Sequence, residues 1–476
     1  MERTRWIALG VIATGSLMTV LDGSIVTVAM PAIQDDLGFT PAALSWVVNA
    51  YLIAFGSLLL LAGRLGDLIG RKWMYLAGTV VFTAASLLAG AATGPAMLIA
   101  ARFLQGVGSA MATAVSLGIL VTLFGEAGER GRAIAIFSFT GAAGAAIGQV
   151  LGGVLTDALS WHWIFLINLP IGLATIVLAQ RTLPAEQRAA WASGADVLGA
   201  LLVTAGLVTG IYTVVKIESY GWASARTLGG LALALALLVA FAVRQATARD
   251  PLLPPRVFRA PGVSAANLVQ VLTLAACFAF QVLVTLYLQR VLGYGALRTG
   301  IAMLPAAVAI GAVSLGLAAR LNARFGERRM LLVGLVLLGA TLGLLTRLPA
   351  HANYVTDVLP TMLLASGFGL VLPALATLAM SGARPDDAGL VSGLFNTTQQ
   401  IGMATGVAVL STLAASRTDR LLDLGRADAE ALTGGYRLAF GVGTGLVAVA
   451  FVLALLLLRP ARRPATRAAE PAYIRQ

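Results

Sequence analysis

Few side chains in this chain could do chemistry, and two of them stand where charge is least welcome. Asp22 lies inside the apolar run LGVIATGSLMTVLDGSIVTVAMPAI (9–33) and Arg102 inside LIAARFLQGVGSA (98–110), with Gln105 one turn further along the same helix face. An ionised group at such a depth costs about 2.5–3.5 kcal/mol on insertion scales, so a lone acid kept there needs a reason. One reading is a carboxyl that takes a proton from one side and releases it to the other as its surroundings change. The other is a structural carboxyl, protonated or hydrogen-bonded to Ser24 or Thr19. Arg102 must equally be neutralised, hydrogen-bonded or hydrated, and its plain reading is a packing arginine held on backbone carbonyls. Enzyme chemistry is not indicated: His162 and His351 are far apart in loops, and no nucleophile–base or metal-ligand spacing occurs. The single cysteine, Cys277, sits in an apolar run, which leaves no disulfide framework and no thiolate metal site.

The elements that must position these residues are set by composition. Hydrophobic residues make up 58% of the 476 and charged residues 11%, with a mean hydropathy of +0.88, against roughly 25% charged in a soluble domain. Water is not the main solvent of such a chain. Apolar stretches long enough to cross a bilayer, about 20 residues, fall near 7–30, 42–62, 74–92, 97–122, 133–157, 164–180, 197–215, 227–243, 263–289, 300–318, 330–347, 355–381, 390–415 and 436–458. The first is too long for a signal-peptide core and reads as a retained helix. The net charge of +12 does not point to nucleic acid, because the basic residues recur every second loop instead of gathering on one face.

Fourteen spans put both termini on one side. Of the 33 Arg and Lys, 23 fall on that side and nine on the other, with Arg102 left inside a span, so the positive-inside rule makes both termini cytoplasmic. An internal echo divides the chain: GRLGDLIGRK (63–72), joining spans 2 and 3, lines up with ARLNARFGER (319–328), joining spans 10 and 11. A repeat displaced by eight spans leaves six helices per half and two between them. The expected division is a six-helix bundle over 1–185, two inserted helices with linkers over 186–255, a second bundle over 256–460 and a basic cytoplasmic tail over 461–476.

Several strings carry a family resemblance. GRLGDLIGRK after span 2, LIAARFLQGVGSA in span 4, GAAGAAIGQVLGG (141–153) in span 5 and WHWIFLINLPIG (161–172) entering span 6 resemble the major facilitator superfamily. Together with LDGSIVTVAMPAI (21–33) and GLVSGLFNTTQQIGMATGVAV (389–409), they look like its fourteen-helix drug:proton antiporter branch, over essentially the whole chain. The resemblance implies an all-α integral membrane fold of two six-helix bundles plus two central helices, with substrate bound near the midplane between halves. It makes Asp22 the helix 1 acid and Arg102 the helix 4 arginine that influences proton transfer. In the 63–72 loop, Gly63, Arg64, Asp67, Gly70, Arg71 and Lys72 read from composition as a positive-inside anchor whose glycines permit a tight turn. The family pattern implies more, a cytoplasmic latch between halves made by Asp67 and Arg71, and Ala323 replaces the acid in the second copy. In span 5, Gly144, Gly148, Gly152 and Gly153 form a strip for close helix contact. The pattern expects Gly-Pro there, but Gln149 follows Gly148, which removes the expected kink.

The expected substrate cavity is drawn from Asn49, Tyr51, Gln105, Phe278, Phe280, Gln281, Phe395, Asn396, Gln399 and Gln400. Aromatic faces mixed with neutral hydrogen-bonding groups suit amphipathic, mostly apolar ligands, although each aromatic taken singly reads more often as core or lipid-facing. The expected function is export of small lipophilic neutral or monocationic compounds in exchange for protons, with no cofactor beyond the proton and no metal. The alternative is a uniporter or importer of a metabolite, since fold does not fix direction; a receptor or scaffold gives no purpose to a buried acid. The expected setting is the inner membrane of a bacterium, as a monomer whose partners are lipid, substrate and protons, with no nucleic acid.

Overall fold

A computed structural model of the chain describes residues 2–124, 127–184, 196–221, 223–248, 251, 256, 262–381 and 388–458. Fourteen helices of at least 15 residues run through them, with shorter helical turns between some, and no strand occurs among the described residues. The first six are α1 (Glu2–Leu37), α2 (Pro41–Ile69), α3 (Arg71–Gly90), α4 (Pro95–Leu123), α5 (Ala127–Ala158) and α6 (Asn168–Thr182), the last entered through the single turn Trp163–Leu166. Then come α7 (Val197–Tyr220) and α8 (Ala225–Thr247). The remainder are α9 (Val263–Leu286), α10 (Ala296–Ala312), α11 (Glu327–Leu345), α12 (Gly367–Ser381), α13 (Ala388–Asp423) and α14 (Asp428–Leu457). A π-turn, Tyr287–Val291, extends α9, and another, Val313–Leu317, leads α10 into Ala318–Phe325.

Local sequence sets the boundaries. Thr40 caps α2 by accepting from the Ala43 N–H at 3.2 Å ahead of Pro41, and Ser224 caps α8 from the Thr227 N–H at 3.1 Å. The helices overrun the expected spans, as the 36 residues of α13 do against 390–415, because a helix continues beyond the hydrocarbon where water replaces lipid. The expected twelfth span is not one helix: Tyr354–Val358 and Leu359–Leu364 precede α12. There Gly367 and Gly334 of α11 cross back to back, a Cβ on Gly367 falling 2.6 Å from Gly334 O.

Among the described residues nine helices are long and apolar enough to cross a membrane, and α2, α7 and α10 contain shorter apolar stretches. The most apolar part of α8 has a mean hydropathy of 2.1 with only 11% of it buried in the protein, so its outer face is made for lipid. Helix α1 packs along α5, α3 along α4, and α2 on α4; in the other half α9 packs on α13 and α14, and α11 on α12 and α14. The two sets meet where α2 touches α13 and α5 touches α10, while α7 and α8 pair together, with α7 against α2 and α13.

The internal echo survives as geometry. Gly70 (φ 101°) and Gly326 (φ 89°) each end one helix and begin the next, with the N–H donating to Gly66 O at 3.0 Å and Asn322 O at 2.9 Å. Positive φ of that size is open to glycine without strain. Two residues on, Lys72 Nζ donates to Gln180 O (2.9 Å) and Leu183 O (2.7 Å) at the end of α6, and Arg328 Nη2 to Leu455 O (2.6 Å) at the end of α14. Cations at matching repeat positions thus neutralise the carbonyl ends of matching helices.

Candidate functional site

Among the described residues three charged side chains are buried: Asp22, Arg102 and Asp196. Asp22 and Arg102 are 0% and 1% exposed and form a direct ion pair between Arg102 Nη1 and Asp22 Oδ2. Asp22 Oδ1 accepts from Gln105 Nε2 and from Asn168 Nδ2, each at 3.0 Å. Arg102 also donates from Nε to Val47 O and from Nη1 to Gln105 Oε1, both at 2.9 Å, and its guanidinium lies 4.5 Å from the Tyr51 ring centre. Gln105 Nε2 reaches Ser86 Oγ at 2.8 Å, and the Tyr51 hydroxyl donates to Ser109 Oγ at 3.0 Å. Groups from α1, α2, α3, α4 and α6 therefore converge on one carboxylate. The arginine is both ion-paired and bonded to a backbone carbonyl. Ser24 and Thr19 turn elsewhere, donating to Leu21 O (3.1 Å) and Ser16 O (2.9 Å). Asn168, Ser86 and Ser109 were not picked out by sequence reasoning: neutral polar residues are common in spans, and only their convergence marks them.

The span 5 glycines do what close packing requires. A Cβ would fall 3.2 Å from Leu17 O at Gly144, 2.8 Å from Leu21 O at Gly148 and 2.7 Å from Ile25 O at Gly152, all on α1, whereas Gly153 faces α10 with Leu297 Cα at 2.6 Å. Helix α5 runs unbroken through Gln149. The expected 63–72 loop is almost wholly helical, because α2 runs on to Ile69: Gly63, Arg64 and Asp67 belong to α2, Arg71 and Lys72 open α3, and Gly70 alone makes the turn. Arg71 Nη1 donates to Gly118 O (3.3 Å) and Thr122 Oγ1 (3.2 Å) of α4. The side chains of Arg64 and Asp67 lie outside the described residues, and Gly63 has only an ordinary 3.9 Å approach to Ala114.

The expected cavity residues separate into groups. Tyr51 and Gln105 belong to the Asp22 cluster. Asn49 is fully buried with neither amide atom partnered, and Gln400, whose Oε1 has no partner, packs on Gly56 across the α2–α13 contact. Phe280 lies in the core of α9–α14 with Phe395 at its edge, Phe278 borders the core of the first half, and Gln281, Asn396 and Gln399 are half-buried. A cavity of about 370 Å³ opens elsewhere, at the end of the bundle away from the termini, where Met30, Ser45, Leu286, Thr418, Asp419 and Tyr436 are among its lining; none of the ten expected residues is. Beyond the spans, Asp196 begins α7. Burial acts to raise its pKa, but the Gly199 N–H (3.0 Å), Arg244 Nε (3.0 Å) and Gln245 Nε2 (2.7 Å) outweigh it and hold the carboxyl below its ordinary range.

The sequence profile of the Major Facilitator Superfamily matches residues 12–407. The chain is 38% identical over 462 residues to the puromycin resistance protein pur8 of Streptomyces alboniger, covering 95% of this chain and 91% of that one. It is 39% identical over 476 residues to the cephamycin export protein CmcT of Amycolatopsis lactamdurans, at 98% and 94% coverage. Among solved structures it resembles the POT family transporter PepTSo, with a TM-score of 0.69 at 14% identity, over 96% of this chain and 99% of that one. A bacterial homologue of the human lysosomal transporter Spinster gives 0.68 at 16% identity, over 98% and 100%. The spanning helices and the bacterial relatives make this a multi-pass membrane protein of bacterial type. Similarity that runs the length of the chain, on a helical fold repeated about Gly70 and Gly326, leaves one conclusion: the chain belongs to the major facilitator superfamily and is a transporter, not an enzyme.

Proposed function

We propose that this transporter is an exporter of small lipophilic neutral or monocationic compounds, antibiotics among them, driven by proton antiport through alternating access in a bacterial inner membrane with both termini cytoplasmic. The observation that carries the reading is the buried Asp22, held by Arg102, Gln105 and Asn168 in a protein that buries no other carboxylate within a described span. A proton on that carboxyl cancels the negative half of the ion pair. Arg102 keeps its Val47 and Gln105 bonds, so α4 is loosened from α1 but not from α2. The glycine strip gives α1 a smooth track on α5, and Arg71 with Asp67 would act as the latch that the family pattern implies, setting which side is closed. The named export and resistance functions of pur8 and CmcT support the outward direction.

One carboxylate means one proton per cycle, and this limits the cargo. Each charge moved across 100 mV is worth about 2.3 kcal/mol and each pH unit about 1.36 kcal/mol. A neutral compound uses both terms, roughly 3.7 kcal/mol, enough for a several-hundredfold gradient. A monocation uses the pH term alone, and a dication leaves against the potential. The test is dye efflux from inverted vesicles with pH gradient and potential set independently, comparing wild type with Asp22→Asn. Proton-driven accumulation is expected in the wild type and lost in the variant, for neutral and monovalent dyes only. Uphill transport by Asp22→Asn removes Asp22 from the mechanism. Uphill transport of a divalent dye means that a second acid takes part, with Asp157 the first to test; Asp157 Oδ2 accepts from the Leu297 N–H at 2.8 Å at the α5–α10 contact.

A further inference from the structure

We propose that Asn168 is a positioning residue that turns its side-chain amide over when Asp22 gains a proton, and so lets the buried carboxyl be hydrogen-bonded in both protonation states. The proposal rests on the reading of Asp22 as the proton carrier. Among the described residues the carboxyl meets only donors: Arg102 Nη1, Gln105 Nε2 and Asn168 Nδ2. A carboxylate accepts and cannot donate, which fixes the Asn168 amide with nitrogen toward Asp22. Its Oδ1 therefore points away, and there it is buried with no partner, a costly arrangement for a carbonyl.

A protonated Asp22 reverses the requirement, because its O–H must find an acceptor. Arg102 has none to give. Gln105 Oε1 already accepts from Arg102 at 2.9 Å, and Ser86 Oγ already accepts from Gln105 Nε2 at 2.8 Å and from Asn168 Nδ2 at 3.4 Å. The Tyr51 hydroxyl, with Arg102 the other titratable group beside the carboxyl, is 3.0 Å from Ser109 Oγ. Asn168 Oδ1 is the acceptor among these that has no partner at all, and a half-turn about the last side-chain bond brings it to the carboxyl. The step makes one O–H bond on Asp22 and breaks one O–H bond of the hydrated proton that delivers it, leaving water; the amide itself only rotates. Asn168 is suited to it by position, as the first residue of α6 after the turn Trp163–Leu166 and one residue beyond Ile167. The amide also binds Ser86 Oγ at 3.4 Å, so its rotation changes how α6 meets α3 as well as α1.

The experiment uses the full chain in proteoliposomes with a monovalent lipophilic dye as cargo and compares wild type, Asn168→Leu, Asn168→Ser and Asp22→Asn. Infrared difference spectra between high and low pH isolate the carboxylic C=O stretch that Asp22→Asn lacks. In Asn168→Leu that band is expected to move to higher frequency, as it does for a carboxyl without an acceptor. Proton-driven turnover should fall roughly tenfold, about one hydrogen bond, with a displaced pH profile and a dye KM within about twofold. Asn168→Ser, whose hydroxyl both donates and accepts, should keep the band near its wild-type position and turnover within about threefold. It also serves as the folding control. A band unmoved in Asn168→Leu, with Asp22 still titrating, overturns the amide switch and leaves the proton-carrier reading standing. A titrating carboxyl band that persists in Asp22→Asn overturns both.

Discussion

Replacing Asp22 by Asn removes one charge from a fully buried pair, and the surrounding geometry sets the cost. Breaking a buried ion pair by deleting one partner typically costs about 3–5 kcal/mol, because the other charge stays behind uncompensated. Here Arg102 retains Val47 O, Gln105 Oε1 and the Tyr51 ring, which places the expected loss near the lower bound, about 3 kcal/mol. The new amide also sets an N–H₂ against either Arg102 or the pair Gln105 and Asn168. Asn168 can relieve this by presenting its unpartnered Oδ1; Gln105 cannot, since both ends of its amide are engaged. Adding Arg102→Gln removes the stranded charge and should recover at least about 2 kcal/mol of the loss, a coupling far beyond the additivity of separate sites. The assay is thermal unfolding in detergent followed by fluorescence of the seven tryptophans. Asp22→Asn should lower the apparent Tm by roughly 5 °C or more, and the double variant should regain most of that while its cargo accumulation stays indifferent to a proton gradient. If Asp22→Asn melts with the wild type, or the two substitutions add, then Arg102 is not neutralised by Asp22 and the site has been built wrongly.

Three other outcomes follow from the same structure. Arg71→Ala and Asp67→Asn should slow turnover while leaving cargo affinity within about twofold, read from initial rates against dye concentration; lost binding with normal saturated rates would make the loop part of a binding site. Gly148→Ala should cost about 1–3 kcal/mol, as its Cβ would sit 2.8 Å from Leu21 O. Gly10→Ala, with nothing within 4 Å, should be neutral or stabilising by up to about 1 kcal/mol, and equal melting of the two variants would refute the tight α1–α5 contact. Asp196 has a folded pKa below its ordinary value, so its tie to Arg244 and Gln245 contributes above the unfolded carboxyl value of about 3.9 and is lost as pH falls through the folded one. Hydrogen exchange in α7 and α8 should thus be protected to the same degree from neutrality to about pH 4 and rise below it, and Asp196→Asn should remove that dependence.

The linear chain determined the features that depend on near neighbours and on solvent. Runs of about 20 apolar residues are legible because a backbone in hydrocarbon must satisfy its own hydrogen bonds as helix, and each expected span overlaps one of α1–α14, although the twelfth is broken ahead of α12 and the sixth is entered through a separate turn. Gly70 was legible as a turn, and Asp22 and Arg102 stood out because charge in an apolar run is rare and costly. The span 5 glycines signalled a close contact without saying with what. Tertiary structure decided the partners: that Gly144, Gly148 and Gly152 lie on α1 while Gly153 lies on α10, and that Tyr51 and Gln105 join the Asp22 cluster. It also decided that Arg102 meets Asp22 and that Asn168 and Ser86, 146 and 64 residues away from Asp22 in sequence, complete the site. Such contacts depend on how five helices rotate about their axes as they pack. Rotation is set by the shapes of the facing side chains, and within lipid the apolar pattern that would report it is nearly uniform around each helix.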